Sequence, residues 1–145
     1  MRIPMDGFEG PVIVTVIYVL LYYATQIHIL RTKGRLRKAY AERDETFDRY
    51  FGQDREMLAA DRVQLNMLEH MPVFLVLLWL HAVFVSPFSA TVAGGVYTAL
   101  RAAYPFVLGG RLGRGVKSGI MAVTFPSYGV IAYLAVGLVV EAIRS

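Results

Sequence analysis

The sequence of 145 residues predicts an all-α fold: a polytopic membrane protein built as a bundle of four transmembrane helices. Three observations predict it. The chain is 56% hydrophobic, more apolar than a soluble globule of this size ordinarily is. Its apolar residues gather into four windows, about 11–30, 65–85, 90–108 and 119–143, each close to the ~20 residues that span a hydrocarbon layer of about 30 Å. Basic residues fall in alternate connections between those windows. The whole chain, 1–145, reads as one membrane domain.

The first window, Pro11 to Leu30, is interrupted by few polar groups, among them Thr15, Gln26 and His28. No basic stretch precedes it and no small-residue cleavage site follows, so it reads as a retained span rather than a removable signal. A long, mixed-charge connection, about 31–61, follows as a surface helix or lid, with Glu42, Asp44, Glu45, Asp48 and Asp54 among its bases. The connection Ser86-Pro-Phe-Ser89 is so short that the second and third spans must be antiparallel neighbours. Gly94 and Gly95 permit close helix contact in the third span, and Pro72 and Pro126 are expected to kink theirs. The third connection, Gly109 to Gly115, carries four glycines and reads as a turn.

Arg31, Lys33, Arg35, Arg37, Lys38, Arg43, Arg49 and Arg55 lie in the first connection; Arg111, Arg114 and Lys117 lie in or beside the third. The positive-inside rule makes both connections cytoplasmic and puts the termini on the opposite face. The net charge of +4 therefore reads as topology and anionic-lipid contact rather than as nucleic-acid affinity. Cysteine is absent, which excludes a protein thiol nucleophile, a disulfide and thiolate metal sites. His28, His70 and His81 have no metal-ligand spacing, so no metal site is expected.

The most informative stretch is Arg62-Val-Gln-Leu-Asn-Met-Leu-Glu-His-Met-Pro72, which puts Arg62, Gln64, Asn66 and Glu69 at the mouth of an apolar run. Ionisable groups there are costly and need partners or a ligand. On a helix Arg62, Asn66 and Glu69 share one stripe that suits a polar small molecule, although Arg62 and Glu69 pairing with each other would be a purely structural alternative. Arg101, in the third span with Tyr97 and Tyr104 at neighbouring turns, is either a ligand contact or an interhelical hydrogen bond.

The spacing Arg62-x-Gln64-x-Asn66-x-x-Glu69-x-x-Pro72 resembles the second-helix signature of the MAPEG family, the membrane-associated proteins in eicosanoid and glutathione metabolism. It is closest to the leukotriene- and prostaglandin-forming synthases and the microsomal glutathione transferases. The order of four spans, the basic first connection and the segment Val96-Tyr-Thr-Ala-Leu-Arg-Ala-Ala-Tyr104 extend the likeness over most of the chain. The resemblance implies a homotrimer that binds glutathione as co-substrate between neighbouring protomers, with a lipophilic small molecule or lipid as the second substrate. Arg62 would clamp a carboxylate of the peptide, Glu69 its ammonium group, and Gln64 with Asn66 its amides. Arg31 and Tyr104 match further contacts of the family. Its thiolate-stabilising arginine, near the start of the fourth helix, corresponds to Arg114 or Arg111, and one register puts Lys117 there instead.

Three positions depart from the synthase pattern. His70 replaces an aromatic beside Glu69 and reads as a substitute contact or a packed side chain, Leu108 replaces a second tyrosine, and Thr32 follows Arg31 where the synthases often have paired bases. Two classes of function follow. One is a glutathione transferase or peroxidase; the other is a non-catalytic lipid-binding scaffold, as in the lipoxygenase-activating branch of the family.

Overall fold

The computed structural model describes residues 6–113, 115 and 118–144. Four helices account for most of them: α1 (Glu9–Ala41), α2 (Arg55–Phe84), α3 (Pro87–Leu108) and α4 (Ser118–Arg144). α2 and α3 form the central pair. α1 and α4 each pack on both of them, and α1 makes no contact with α4 among the described residues. α1, α2 and α4 are each long and apolar enough to cross a membrane; α3, which carries Arg101 among its small and hydroxylated residues, is not one of those three. Rows of large apolar side chains face outward, among them Ile13, Leu20 and Ile27 on α1 and Phe125, Val136 and Val139 on α4. A water-facing surface would not tolerate so many; lipid does, and the chain is an integral membrane protein.

The α2–α3 hairpin follows from local chemistry. Val85 and Ser86 are the whole connection, and the N–H groups of both donate to the His81 carbonyl, at 3.0 and 2.9 Å. Ser86 caps α3 by accepting from the Ser89 N–H, while Pro87 occupies a first-turn position where its missing N–H costs nothing. Gly94 then lets the helices close: a Cβ there would lie 2.7 Å from Leu78 Cδ1 and 2.8 Å from Val14 Cγ1. Gly95, expected to do the same, faces open space. Tyr18, Phe74 and Tyr97 fill the centre, with the Phe74 and Tyr97 rings stacked at 4.1 Å. Near the hairpin turn the buried His81 ring bonds the Leu134 carbonyl (3.1 Å) and the Ser89 hydroxyl (3.0 Å), tying α2 to α4 and α3. α2 and α4 remain continuous helices through Pro72 and Pro126.

The segment 31–61, expected as a connection holding a surface helix or lid, is mostly helix, but as extensions of α1 and α2. α1 runs on to Ala41 and α2 already starts at Arg55, leaving 42–54 as the connection. The physical reason is a second apolar seam beyond the membrane-length windows. Leu36 packs against Met57 and Ala60, flanked by Ile29, Tyr40 and Phe47. Asp54 caps α2 by accepting from the N–H groups of Glu56 (2.9 Å) and Met57 (3.1 Å), and its other oxygen accepts from the Tyr40 hydroxyl. A two-pronged pair between Arg49 and Asp61, at 2.9 and 2.8 Å, secures the connection.

Gly109 ends α3 with a φ of +81°, a conformation that favours glycine. The chain after it is pinned to the start of α2. The Leu112 N–H donates to the Arg55 carbonyl (2.9 Å), and Arg55 Nε donates back to the Leu112 carbonyl (2.6 Å). Glu56 adds ion pairs to Arg35 (2.7 Å) and Arg111 (3.2 Å). The Arg35 guanidinium, and then that of Arg111, hold the Glu56 carboxyl below its ordinary range.

Two outcomes follow. Gly94→Ala should lower stability by about 1–3 kcal/mol through overpacking, while Gly95→Ala should be neutral or mildly stabilising; thermal unfolding of detergent-solubilised protein measures both. Because the Glu56 carboxyl is depressed in the folded state, its contribution is present above the unfolded value of about 4.3 and is lost as pH falls through the folded one. Glu56→Gln should therefore speed hydrogen exchange of the Leu112 amide at neutral pH, by no more than the factor of about 5 that corresponds to roughly 1 kcal/mol for an exposed pair. The wild type should show the same change only in strong acid.

Candidate functional site

The capped start of α2 sets Arg62 two turns into the helix and Asn66 one turn further, on the side that faces α3 and α4. Below them Ala59, Val63, Tyr104 and Leu108 form a buried apolar cluster, packed by Leu112, Ile120 and Val123. Above this floor opens a cleft of about 370 Å³. Arg62 and Asn66 line it from α2, Tyr104 from α3, Thr124 and Tyr128 from α4, and Leu112, Gly113 and Gly115 from the pinned third connection. The size suits a small-molecule site.

Polarity in the cleft has depth. Arg62 is exposed at the mouth, and Asn66 is 7% exposed at the wall. Behind Asn66 stands Arg101, only 4% exposed, whose Nη1 donates to Asn66 Oδ1. The Arg101 guanidinium carbon lies 4.9 Å from the centre of the Tyr97 ring. Its Nε and Nη2, like the Tyr97 hydroxyl, are buried without a hydrogen-bond partner among the described residues. The next layer of the core is polar too: the Tyr18 hydroxyl donates to the Met67 carbonyl at 3.3 Å.

The expected site residues divide accordingly. Arg62, Asn66 and Tyr104 come together at one cleft, and Arg101 backs it. His70 sits beside it, half-buried, with its ring edge-on to Tyr128 at 5.4 Å between centroids. Gln64, two residues from Arg62 and so about 200° around the helix, is half-buried away from the cleft lining. Glu69 is exposed and does not line the cleft either; Arg62 and Glu69 form no ion pair with each other. Arg31 is exposed on α1, which contributes nothing to the lining. Arg111 points its charge at Glu56 instead of into the cleft. Arg114 and Lys117 lie outside the described residues.

Sequence reasoning missed the α4 wall. Ile120, Thr124 and Tyr128 recur at steps of four and share one stripe, a legible signal, but nothing in the sequence says that this stripe turns toward α2. It also missed Glu56, whose partners lie 21 and 55 positions along the chain. A second cavity, also about 370 Å³, lies on the other side of the central pair. It is largely apolar, lined by Leu21, His28, Ala60, Phe106 and Gly110 among others. Both cavities thus open beside the glycine-rich third connection.

Comparison with curated proteins finds no match. The MAPEG family model, in contrast, matches residues 11–139 and so takes in α2, α3, most of α1 and α4, the Arg62–Pro72 stretch and the third connection. With the four-helix bundle and its apolar outer faces, that match over most of the length shows that the chain belongs to the MAPEG family, a family of membrane proteins associated with glutathione and eicosanoid metabolism.

Proposed function

We propose that the protein is a glutathione-dependent transferase or peroxidase that brings the glutathione thiolate to a lipophilic electrophile arriving through the bilayer. The observation that carries this reading is the convergence of Arg62, Asn66 and Tyr104 on one cleft beneath a glycine-rich connection. Glutathione has two carboxylates, an ammonium group, two amides and a thiol. Arg62 offers a cation with a forked donor set to a carboxylate, and Asn66 an amide at the wall. Glu69, exposed one turn beyond Asn66, supplies the charge that an ammonium group needs, and His70, set against Tyr128 of the lining, adds a further contact; Gln64 faces away from this cleft and has no part in it. Arg31 reaches such a site only from another copy, because α1 does not border the cleft of its own chain. That favours a homotrimer with glutathione between protomers, and the unpaired apolar faces of α1 and α4 leave surface for such packing.

Chemistry requires the thiol as thiolate. Its ordinary pKa is about 8.5, so a guanidinium beside the sulfur that lowers it by one or two units, roughly 1.4–2.7 kcal/mol, keeps most of it ionised at neutral pH. Arg111 is engaged with Glu56. Arg114 stands in sequence between two glycines that line the cleft, and we assign it the role. The thiolate then attacks carbon, or the terminal oxygen of a hydroperoxide, and the electron pair leaves with the displaced group. With the basic first and third connections cytoplasmic and the termini opposite, soluble glutathione and membrane-borne electrophile meet at this level. A lipid-binding scaffold is the second reading, favoured by Leu108 where the synthases carry a tyrosine.

Mixing purified protein with glutathione in a stopped-flow spectrometer should show thiolate absorbance, and a simple aryl halide should then yield conjugate. If neither appears and lipid binds instead, the scaffold reading stands and the enzyme reading is lost. Arg62→Ala should weaken glutathione binding roughly 10- to 100-fold, the loss expected of a charged hydrogen-bonding partner, as read by calorimetry. Arg114→Ala should abolish the thiolate signal while Arg111→Ala leaves it; the reverse pattern would move the assignment to Arg111.

A further inference from the structure

Arginine has hydrogen-bond donors and no acceptor. The side-chain group that Arg101 holds on Asn66 must therefore be the carboxamide oxygen, whichever way an isolated amide would turn. With Oδ1 committed to Arg101, Asn66 has only its amide N–H groups left to offer the cleft, and among the described residues neither is taken by an acceptor. Asn66 lines the cleft. Arg101 cannot easily release its hold. It is 4% exposed, its guanidinium lies over the Tyr97 ring, and that ring is stacked on Phe74. Among the described residues its Nε and Nη2 lack partners, so giving up Asn66 would strip a buried cation of its hydrogen bond to a carbonyl oxygen.

From this we infer that Arg101 is a positioning residue: it fixes Asn66 as a hydrogen-bond donor, so that at this wall the cleft recognises an acceptor, a carboxylate or an amide carbonyl, and rejects a donor. The inference rests on the glutathione reading of the cleft and deepens it. Asn66 then meets a carbonyl or carboxylate oxygen of the peptide, and never one of its N–H groups. It also makes Arg101 act through Asn66 without touching the ligand.

Asn66→Asp separates this role from a merely structural one. A carboxylate at position 66 pairs at least as well with Arg101 but has no N–H to offer, so the variant should melt at or above the wild-type temperature while its dissociation constant for glutathione rises tenfold or more. A double-mutant cycle adds an independent reading: Asn66→Ala should weaken binding in the wild-type background and do little further in Arg101→Met, since the amide is no longer oriented there. Wild-type affinity in Asn66→Asp, or additive losses in the cycle, would overturn the inference while leaving the cleft a glutathione site. Failure of the wild type to bind glutathione would overturn both.

Discussion

A guanidinium buried between helices whose outer faces meet lipid has to find its partners inside the protein, and Arg101 finds the face of Tyr97 and the carbonyl oxygen of Asn66. Leaving such a charge without them would cost several kcal/mol. That requirement locks α2 to α3 in one register, because Asn66 and Arg101 must meet at one height. The rest of the central pair is arranged around the same demand. Gly94 brings the backbones close, the hairpin closes in two residues, and the stack of Tyr18, Phe74 and Tyr97 holds the ring on which the guanidinium rests.

The charged end of the bundle is built differently from its core. Leu112 and Arg55 are joined by reciprocal hydrogen bonds, whereas Glu56 meets two arginines that are largely exposed. Exposed ion pairs contribute little, so the backbone bond does most of the placing and the ion pairs keep Arg111 occupied. A wall of Asn66, Tyr104 and Tyr128 thus stands beneath a glycine-rich segment that is fastened at Leu112.

Four helices, their order and the α2–α3 hairpin were legible from apolar windows and one short connection, because lipid imposes length and polarity on any span. The true ends of α1 and α2 were not. Windows of mean polarity overlook an amphipathic extension, and here Leu36, Met57 and Ala60 form a seam among charged residues. At the site, the four-residue step from Arg62 to Asn66 was informative, since helical geometry alone puts them on one face. Glu69 shares that stripe and yet is exposed outside the cleft lining. Arg101 left two readings open, a ligand contact or an interhelical bond; the structure shows the interhelical bond, made to a residue of the cleft wall itself. The bond from Arg111 to Glu56 links positions 55 apart and leaves no local trace in sequence.

The most direct measurement is a structure of the protein in lipid nanodiscs with glutathione added. The expected result is a trimer with peptide density in the cleft between α2, α3 and α4, a carboxylate at Arg62 and an oxygen of the ligand within hydrogen-bond distance of Asn66 Nδ2. Acyl-chain density filling that cleft, or glutathione bound elsewhere with Arg62 and Asn66 untouched, would contradict it.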